Sequence, residues 1–346
     1  MNNINRMIIT ILILLGGGMF ADPVYAGDRL SNQGTTSAAF LEVGIGARSM
    51  GMGGAYVAIA QDAIAMYWNP AGLARIQQAS GMFEQVDWVT DVNFNFLAAT
   101  IPLGNNLGSM GIFINSMSMP NQLVRTVQHP DGNGEEYSAS SMVFGLSYAR
   151  NLTDRFSIGA NAKYISERIW HEQASSLAFD IGTLYDTGLD GLRIGACISN
   201  FGPGLKLSGS DLLIYYDPDP QHLGNNDKIM GKLMTDEWPL PLNMQVGLSY
   251  TTNITGGIEL ALAADALHPI NAGESINLGT ELNLFRMFFL RAGYKSLFLE
   301  DSETGFTAGG GINYRLFGAS NIRIDYAYAD MSRLGSISRF TLGLYF

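Results

Sequence analysis

The chain has 346 residues, a formal net charge of −11, 41 glycines and 15% charged residues. The acidic balance excludes nucleic acid as a partner, and a lone cysteine, Cys197, excludes an intrachain disulfide framework. A soluble domain carries about a quarter charged residues; low charge with abundant glycine and aromatics suits a β-barrel that shows an apolar face to lipid.

Arg6 precedes an apolar run, Met7–Phe20, and Val24-Tyr25-Ala26 offers small residues at the two positions read by a signal peptidase. Residues 1–26 are therefore expected to be a signal peptide cleaved before Gly27. The run is short for a membrane anchor and is weakened as a helix by Gly16, Gly17 and Gly18. No later stretch is apolar and long enough to cross a bilayer as a helix.

Residues 27–78 read as a separate segment. Ser37–Leu73 is dense in glycine and alanine, residues that let one backbone approach another. A short helix is expected over Asp62–Trp68 with Asp62 as its N-cap, ended by Asn69-Pro70, because a residue before proline is pushed out of the α region. Such a segment would sit inside a barrel and block its lumen.

From residue 79 to 346 apolar and polar residues alternate, broken by turn-forming clusters. Met142, Phe144, Leu146 and Tyr148 alternate with Val143, Gly145, Ser147 and Ala149; Leu240 to Tyr250 and Ile322 to Tyr328 follow the same pattern, with Ala327 and Ala329 on the small-residue face. Period two places one face of each strand in lipid and the other in the lumen. About fourteen strands are expected, starting near Ala79, Asp91, Leu107, Glu136, Arg155, Ala174, Leu192, Pro239, Gly256, Ser275, Met287, Thr304, Asn321 and Ser336. The fold class is thus all-β: a transmembrane antiparallel barrel with a short N-terminal Gly/Ala-rich plug. Connections after even strands are short. Those after odd strands include the two longest, Met119–Glu135 and Gly202–Trp238, which matches short periplasmic turns and longer extracellular loops. The connection near Val89 and Thr90 is short despite its odd position.

If apolar positions face lipid, Lys163, Asp180, Arg193, Glu259, Asp265, Glu281, Arg291, Lys295, Arg323, Asp325 and Arg339 point inward. Charges of both signs there are expected to pair with one another, with the plug or with water. A selective channel needs one sign to dominate its constriction, and this set is mixed. Catalysis, cofactor binding and metal binding find no motif. His129, His171, His222 and His268 fall in separate expected loops without ligand spacing. Asp131–Glu135 lacks the glycine of a calcium loop, since Glu136 stands in its place. Asp217-Pro218-Asp219-Pro220 reads as a rigid extended turn, and Gly51-Met52-Gly53-Gly54 lacks the strand–helix context of a dinucleotide site. An apolar cluster, Leu212 to Tyr216, is unusual for a solvated loop; it either exposes a binding surface or folds over the barrel mouth.

The run Gly46–Ala74, GARSMGMGGAYVAIAQDAIAMYWNPAGLA, strongly resembles the N-terminal signature of the PorV/PorQ family of outer-membrane proteins, related to the FadL family of hydrophobic-compound channels. The matching positions are Gly46, Arg48, Gly51, Gly53, Gly54, Ala55, Asp62, Ala63, Trp68, Asn69, Pro70, Ala71, Gly72 and Leu73; a family member commonly has an acidic residue where Gln61 stands. The ending Phe340–Phe346, with Gly343, Leu344 and Phe346, resembles the terminal strand by which the barrel-assembly machinery recognises its clients. The resemblance implies an outer-membrane protein in contact with lipid and lipopolysaccharide. It implies a non-enzymatic role in type IX protein secretion or surface attachment, with secreted cargo proteins or secretion components as partners. The alternative is a FadL-like transporter of fatty acids or aromatic hydrocarbons.

Overall fold

The computed structural model describes residues 32–346 except 105, 106, 223–225, 227, 300, 301 and 317–319; the expected signal peptide lies outside the described residues. Fourteen antiparallel strands close into one barrel. They are β1 (Ser80–Asp87), β2 (Asn93–Pro102), β3 (Ser109–Ser118), β4 (Ala139–Asn151), β5 (Phe156–Ile169), β6 (Glu172–Asp186), β7 (Leu192–Phe201), β8 (Asn243–Thr255), β9 (Ile258–Pro269), β10 (Ser275–Leu284), β11 (Phe288–Leu297), β12 (Phe306–Arg315), β13 (Asn321–Asp330) and β14 (Ser336–Tyr345). Each pairs with its sequence neighbours, and β1 closes on β14 from Ser80 opposite Tyr345 to Gln85 opposite Phe340. Closure leaves no sheet edge in lipid, the condition that backbone groups impose in a medium without water.

Burial alternates along the strands as the period-two pattern requires. On β5, Ser157, Gly159, Asn161, Lys163 and Ile165 are buried, whereas Tyr164 on the opposite face is exposed. Ile112, Leu146, Leu177, Ile181, Leu248 and Leu290 form part of the outward apolar band. No helix is long and apolar enough to cross a membrane among the described residues.

Short connections gather at one end, where Gly256 and Gly257 alone separate β8 from β9. The other end carries the long segments 119–138 and 202–242, which marks it as extracellular. Four of its connections are short: residues 88–92, the turn at Trp170-His171 between β5 and β6, and residues 270–274 and 331–335.

Two local expectations are corrected. Strand β8 begins at Asn243, not Pro239, because Pro239 and Pro241 carry no N–H for a ladder; Leu240 is consequently buried against the plug instead of facing lipid. His268 sits on β9 instead of in a loop, beside Glu274. Ala327 and Ala329 face the lumen, as their parity requires, and are buried there, where β13 packs on the plug helix Ala47–Gly51.

Replacing Leu146 or Tyr326 by arginine places a charge on the lipid face, at about 2–4 kcal/mol near the bilayer midplane. Both variants should lose heat-modifiable mobility on denaturing gels, reporting failed barrel assembly, while Ile112→Leu should migrate as the parent does.

Candidate functional site

The segment before β1 threads the lumen from one end to the other. At the extracellular rim the Ser37 amide donates to the Pro239 carbonyl (2.9 Å), and Asn271 Nδ2 donates to Thr36 Oγ1 (3.0 Å) and to the Glu42 carboxylate (3.2 Å). At the periplasmic end Arg75 pairs with Asp186 (2.8 Å) and donates to the Asp154 carbonyl (3.2 Å). Between these anchors Ile45, Ala47, Met52, Ala55, Tyr56, Ala60, Met66 and Leu73 are fully buried. The hydrophobic core of this protein therefore lies inside the barrel.

Glu281 of β10 is the main tie between plug and wall. Its carboxylate accepts two hydrogen bonds from Arg48 of the plug, from Nε (2.9 Å) and Nη2 (2.7 Å), and a third from Nε of Arg291 on β11 (2.6 Å). Arg291 continues to Asp325 of β13 (2.8 Å), which Arg323 also contacts (2.9 Å). On the plug side Arg48 Nη1 reaches Tyr56 Oη (3.0 Å) and Asp62 (3.3 Å), and the Tyr56 hydroxyl donates to Asp62 (2.7 Å). Three guanidiniums thus meet three carboxylates, a balance that lets all six lie in a largely dry space.

Backbone ties complete the seal. Glu84 of β1 accepts from the Gly46 amide (2.6 Å), and Arg339 of β14 donates to the Gly44 carbonyl (2.6 Å). Asp265 of β9 accepts from the amides of Tyr56 (2.7 Å) and Val57 (2.9 Å). Asn69 Nδ2 donates to the Val57 carbonyl (2.8 Å) and to the Thr183 carbonyl of β6 (3.0 Å). Trp68 Nε1 donates to the Ile45 carbonyl (2.9 Å), folding the plug on itself.

Wall glycines permit this closeness. A Cβ on Gly182 would lie 2.0 Å from Asn69 Oδ1, one on Gly159 2.4 Å from the Pro70 carbonyl carbon, and one on Gly293 2.3 Å from the Gly53 nitrogen. In the plug, Gly53 has φ +66°, and a Cβ there would lie 2.7 Å from the Leu278 carbonyl oxygen and 2.8 Å from the Tyr294 backbone, so any side chain is barred twice over.

The other plug positions singled out from sequence fall as follows. Gly46 (φ +91°) precedes the short helix Ala47–Gly51, and Gly51 lies against Gly309 of β12. Gly54 sits over the Trp68 ring, and a Cβ on Gly72 would meet the Ala60 carbonyl at 2.2 Å. Pro70 is the first residue of the 3₁₀ turn Pro70–Arg75, whose start Asn69 caps through Oδ1 to the Ala71 amide (3.1 Å). The helix expected over Asp62–Trp68 is shorter, Ala65–Trp68, and Asp62 is not its N-cap: its carboxylate is taken by Tyr56 and Arg48, a stronger claim than an exposed cap offers. Gly343 and Leu344 lie in β14 opposite Met82 and Gly81, and the Phe346 amide donates to the Ala79 carbonyl (2.9 Å). Tyr56, Glu84 and Asn161 were missed. The inward parity of β1 and β5 marks Glu84 and Asn161, whereas nothing in the sequence marks Tyr56.

A cavity of about 180 Å³ remains above the plug on the extracellular side. Met66, Tyr67, Trp68, Phe113 and Leu267 line it, together with Lys163, Asp180, Lys295 and Glu42. Lys163 is held by Asp180 (2.6 Å). A more polar recess opens below the plug among Arg48, Gln61, Arg193, Glu259 and Glu281. Among the described residues no group of three or more His, Cys, Asp or Glu is placed to hold a metal.

The sequence profile of type IX secretion system protein PorV matches residues 28–212. The chain belongs to the PorV family. Among curated proteins none matches it. Solved structures of the same fold include the toluene transporter TodX of Pseudomonas putida (14% identity, TM-score 0.54, covering 87% of this chain and 97% of that one). The toluene transporter TbuX of Ralstonia pickettii matches similarly (14%, TM-score 0.51, 87% and 97%), as does the CymD monoaromatic hydrocarbon channel (14%, TM-score 0.52, 88% and 97%). This PorV-family chain therefore shares the outer-membrane barrel architecture of FadL-type proteins, at an identity that carries the fold alone.

Gly182→Val should drive a side chain into Asn69, and Glu281→Gln should leave Arg48 and Arg291 undercompensated, a change of about 3–5 kcal/mol for a broken buried pair. In planar bilayers both variants should assemble yet conduct more, or more noisily, than the parent.

Proposed function

We propose that this barrel is a non-enzymatic component of type IX protein secretion or surface attachment, binding exported proteins or secretion machinery at its extracellular loops. The observation that carries this reading is the filled lumen. Among the described residues a plug tied to the wall at Glu281, Glu84, Asp265 and Thr183, with no side chain separating backbone from backbone at the wall glycines, occupies the lumen. Chemistry available to a partner is then concentrated outside, on the loops at the extracellular rim. Membership of the PorV family supports the same reading.

Uptake of small hydrophobic molecules is a second reading, favoured by the cavity above the plug. A void of about 150 Å³ accepts benzene, so about 180 Å³ fits one aromatic ring but not an extended acyl chain. Lys163, Asp180 and Lys295 make it less apolar than a hydrocarbon site requires.

Deleting the gene in its own organism should leave exported proteins stranded in the periplasm or unattached at the surface, measured by surface proteolysis and fractionation. Growth on toluene or fatty acids should be unchanged. Normal surface display with lost hydrocarbon uptake would replace this reading by transport.

A further inference from the structure

The loop between β7 and β8 builds a two-stranded hairpin, Leu213–Tyr216 paired with Ile229–Lys232. It neither joins the barrel sheet nor caps the lumen: all its side chains except at Gly231 are exposed, with Tyr215 at 72% and Met230 at 65%. Cross-strand pairing puts Leu213, Tyr215 and Met230 on one face, with Lys232 at its end, and Ile214, Tyr216 and Ile229 on the other, so both faces are dominated by uncovered apolar side chains. An isolated two-stranded hairpin is marginal in water, and contiguous apolar surface of this kind marks an interaction site.

The edge is also open. The Leu233 amide donates to the Leu212 carbonyl (2.8 Å), which fixes the ladder's phase. Alternation along an antiparallel pair then turns Tyr215 N–H and C=O away from the partner strand. No third strand covers that edge among the described residues. Charge distinguishes the two edges. Leu213–Tyr216 is bracketed by Asp211 and by Asp217 and Asp219, whereas the other strand carries Lys228 and Lys232 at its ends. The whole segment 202–238 holds six acidic residues against three lysines, which disfavours the anionic outer leaflet as the occupant.

We infer that the Leu213–Tyr216 edge is a docking strand for an extended, apolar-alternating and basic-flanked segment of an exported protein, which adds to it as a third strand. The inference rests on the reading that this barrel binds exported protein, and it names the mode. Main-chain hydrogen bonds supply affinity that tolerates many sequences, and the apolar faces with acidic brackets select strands by pattern and charge. Such recognition suits a component that handles diverse cargo.

The test uses the full chain in detergent micelles and a fluorescent peptide, Lys-Lys-Thr-Val-Thr-Val-Thr-Val-Lys-Lys, with binding read by anisotropy. Tyr215→Pro removes an outward N–H without removing a bond of the hairpin itself, and should weaken binding at least about tenfold. Met230→Pro, on the lysine-bearing edge, and Tyr215→Val, which keeps the N–H, should bind as the parent does. A peptide N-methylated at alternate residues should fail on the unaltered protein, a control independent of hairpin folding. Undiminished binding to Tyr215→Pro, equal binding of the methylated peptide, or no binding by the parent would overturn the inference. It is equally overturned if Tyr215→Pro instead abolishes adhesion to lipopolysaccharide-containing vesicles or concentration-dependent self-association. Gene deletion separates the two levels. Stranded cargo on deletion with normal display in Tyr215→Pro removes the docking edge and leaves the broader reading standing. Normal display on deletion removes the broader reading itself.

Discussion

One carboxylate organises the interior of this barrel. Glu281 accepts from Arg48 of the plug and Arg291 of the wall, so the plug cannot leave without stranding the Arg48 guanidinium and taking from Glu281 one of its cationic partners. The pair belongs to a balanced set of six charges, and balance is what makes burial tolerable. An isolated ion in a dry lumen would cost several kcal/mol, whereas a closed network has every charge facing its opposite. The same requirement explains why the inward-facing charges are of mixed sign. They are arranged for mutual neutralisation rather than for conducting an ion of one sign.

That electrostatic tie works only because main chains come within contact of each other. Wall glycines at 159, 182 and 293 meet Pro70, Asn69 and Gly53. The small-residue composition of the plug and the glycine content of the wall are therefore two halves of one device. In a soluble protein the apolar face of a sheet supplies the core. Here that face is given to lipid, and the core is built inside the lumen by wall and plug together: Phe94, Phe96, Phe113 and Ile165 of the wall pack with Tyr56, Met66, Trp68 and Leu73 of the plug. The inversion accounts for the dryness of Ala327 and Ala329, which in an open channel would meet water.

The barrel was legible in the sequence because lipid on one side and a packed lumen on the other impose a strict period of two. Strand starts expected near Leu192, Ser275, Asn321 and Ser336 coincide with those observed. The misplacement of β8 has a definite cause: Leu240 and Leu242 continue the alternation, but two prolines withhold the ladder's donors, and the apolar residues turn to the plug. Parity marked Asp265, Glu281, Arg291 and Arg339 as inward. It could not say that Glu281 would bind Arg48 or that Asp265 would be taken by backbone amides, because pairing across a barrel depends on tilt and register rather than on spacing along the chain. Asp62 illustrates the same limit. Local rules made it a helix cap, while a tertiary partnership with Tyr56 and Arg48 claimed its carboxylate.

A lumen filled by its own N-terminal segment changes what the extracellular loops are able to do. In a conducting barrel the loops above the pore must stay clear of, or gate, the passage, and apolar side chains there risk being drawn into it. With the Ser37–Glu42 segment already fastened across the rim by Pro239 and Asn271, the loop between β7 and β8 is released from that duty and rises as a hairpin with both faces bare. Its base is held by the Leu205–Trp238 bridge and by Ser208–Gly209 pairing with the start of β6, so the hairpin rises from a hydrogen-bonded extension of the wall. Pairing below and exposure above belong together: a docking strand pre-formed on a hydrogen-bonded base spends less conformational entropy on capture than a disordered loop would. The plug is part of that base, since the Ser37 hydroxyl donates to the carbonyl of Trp238 (2.9 Å), the residue that bridges Leu205.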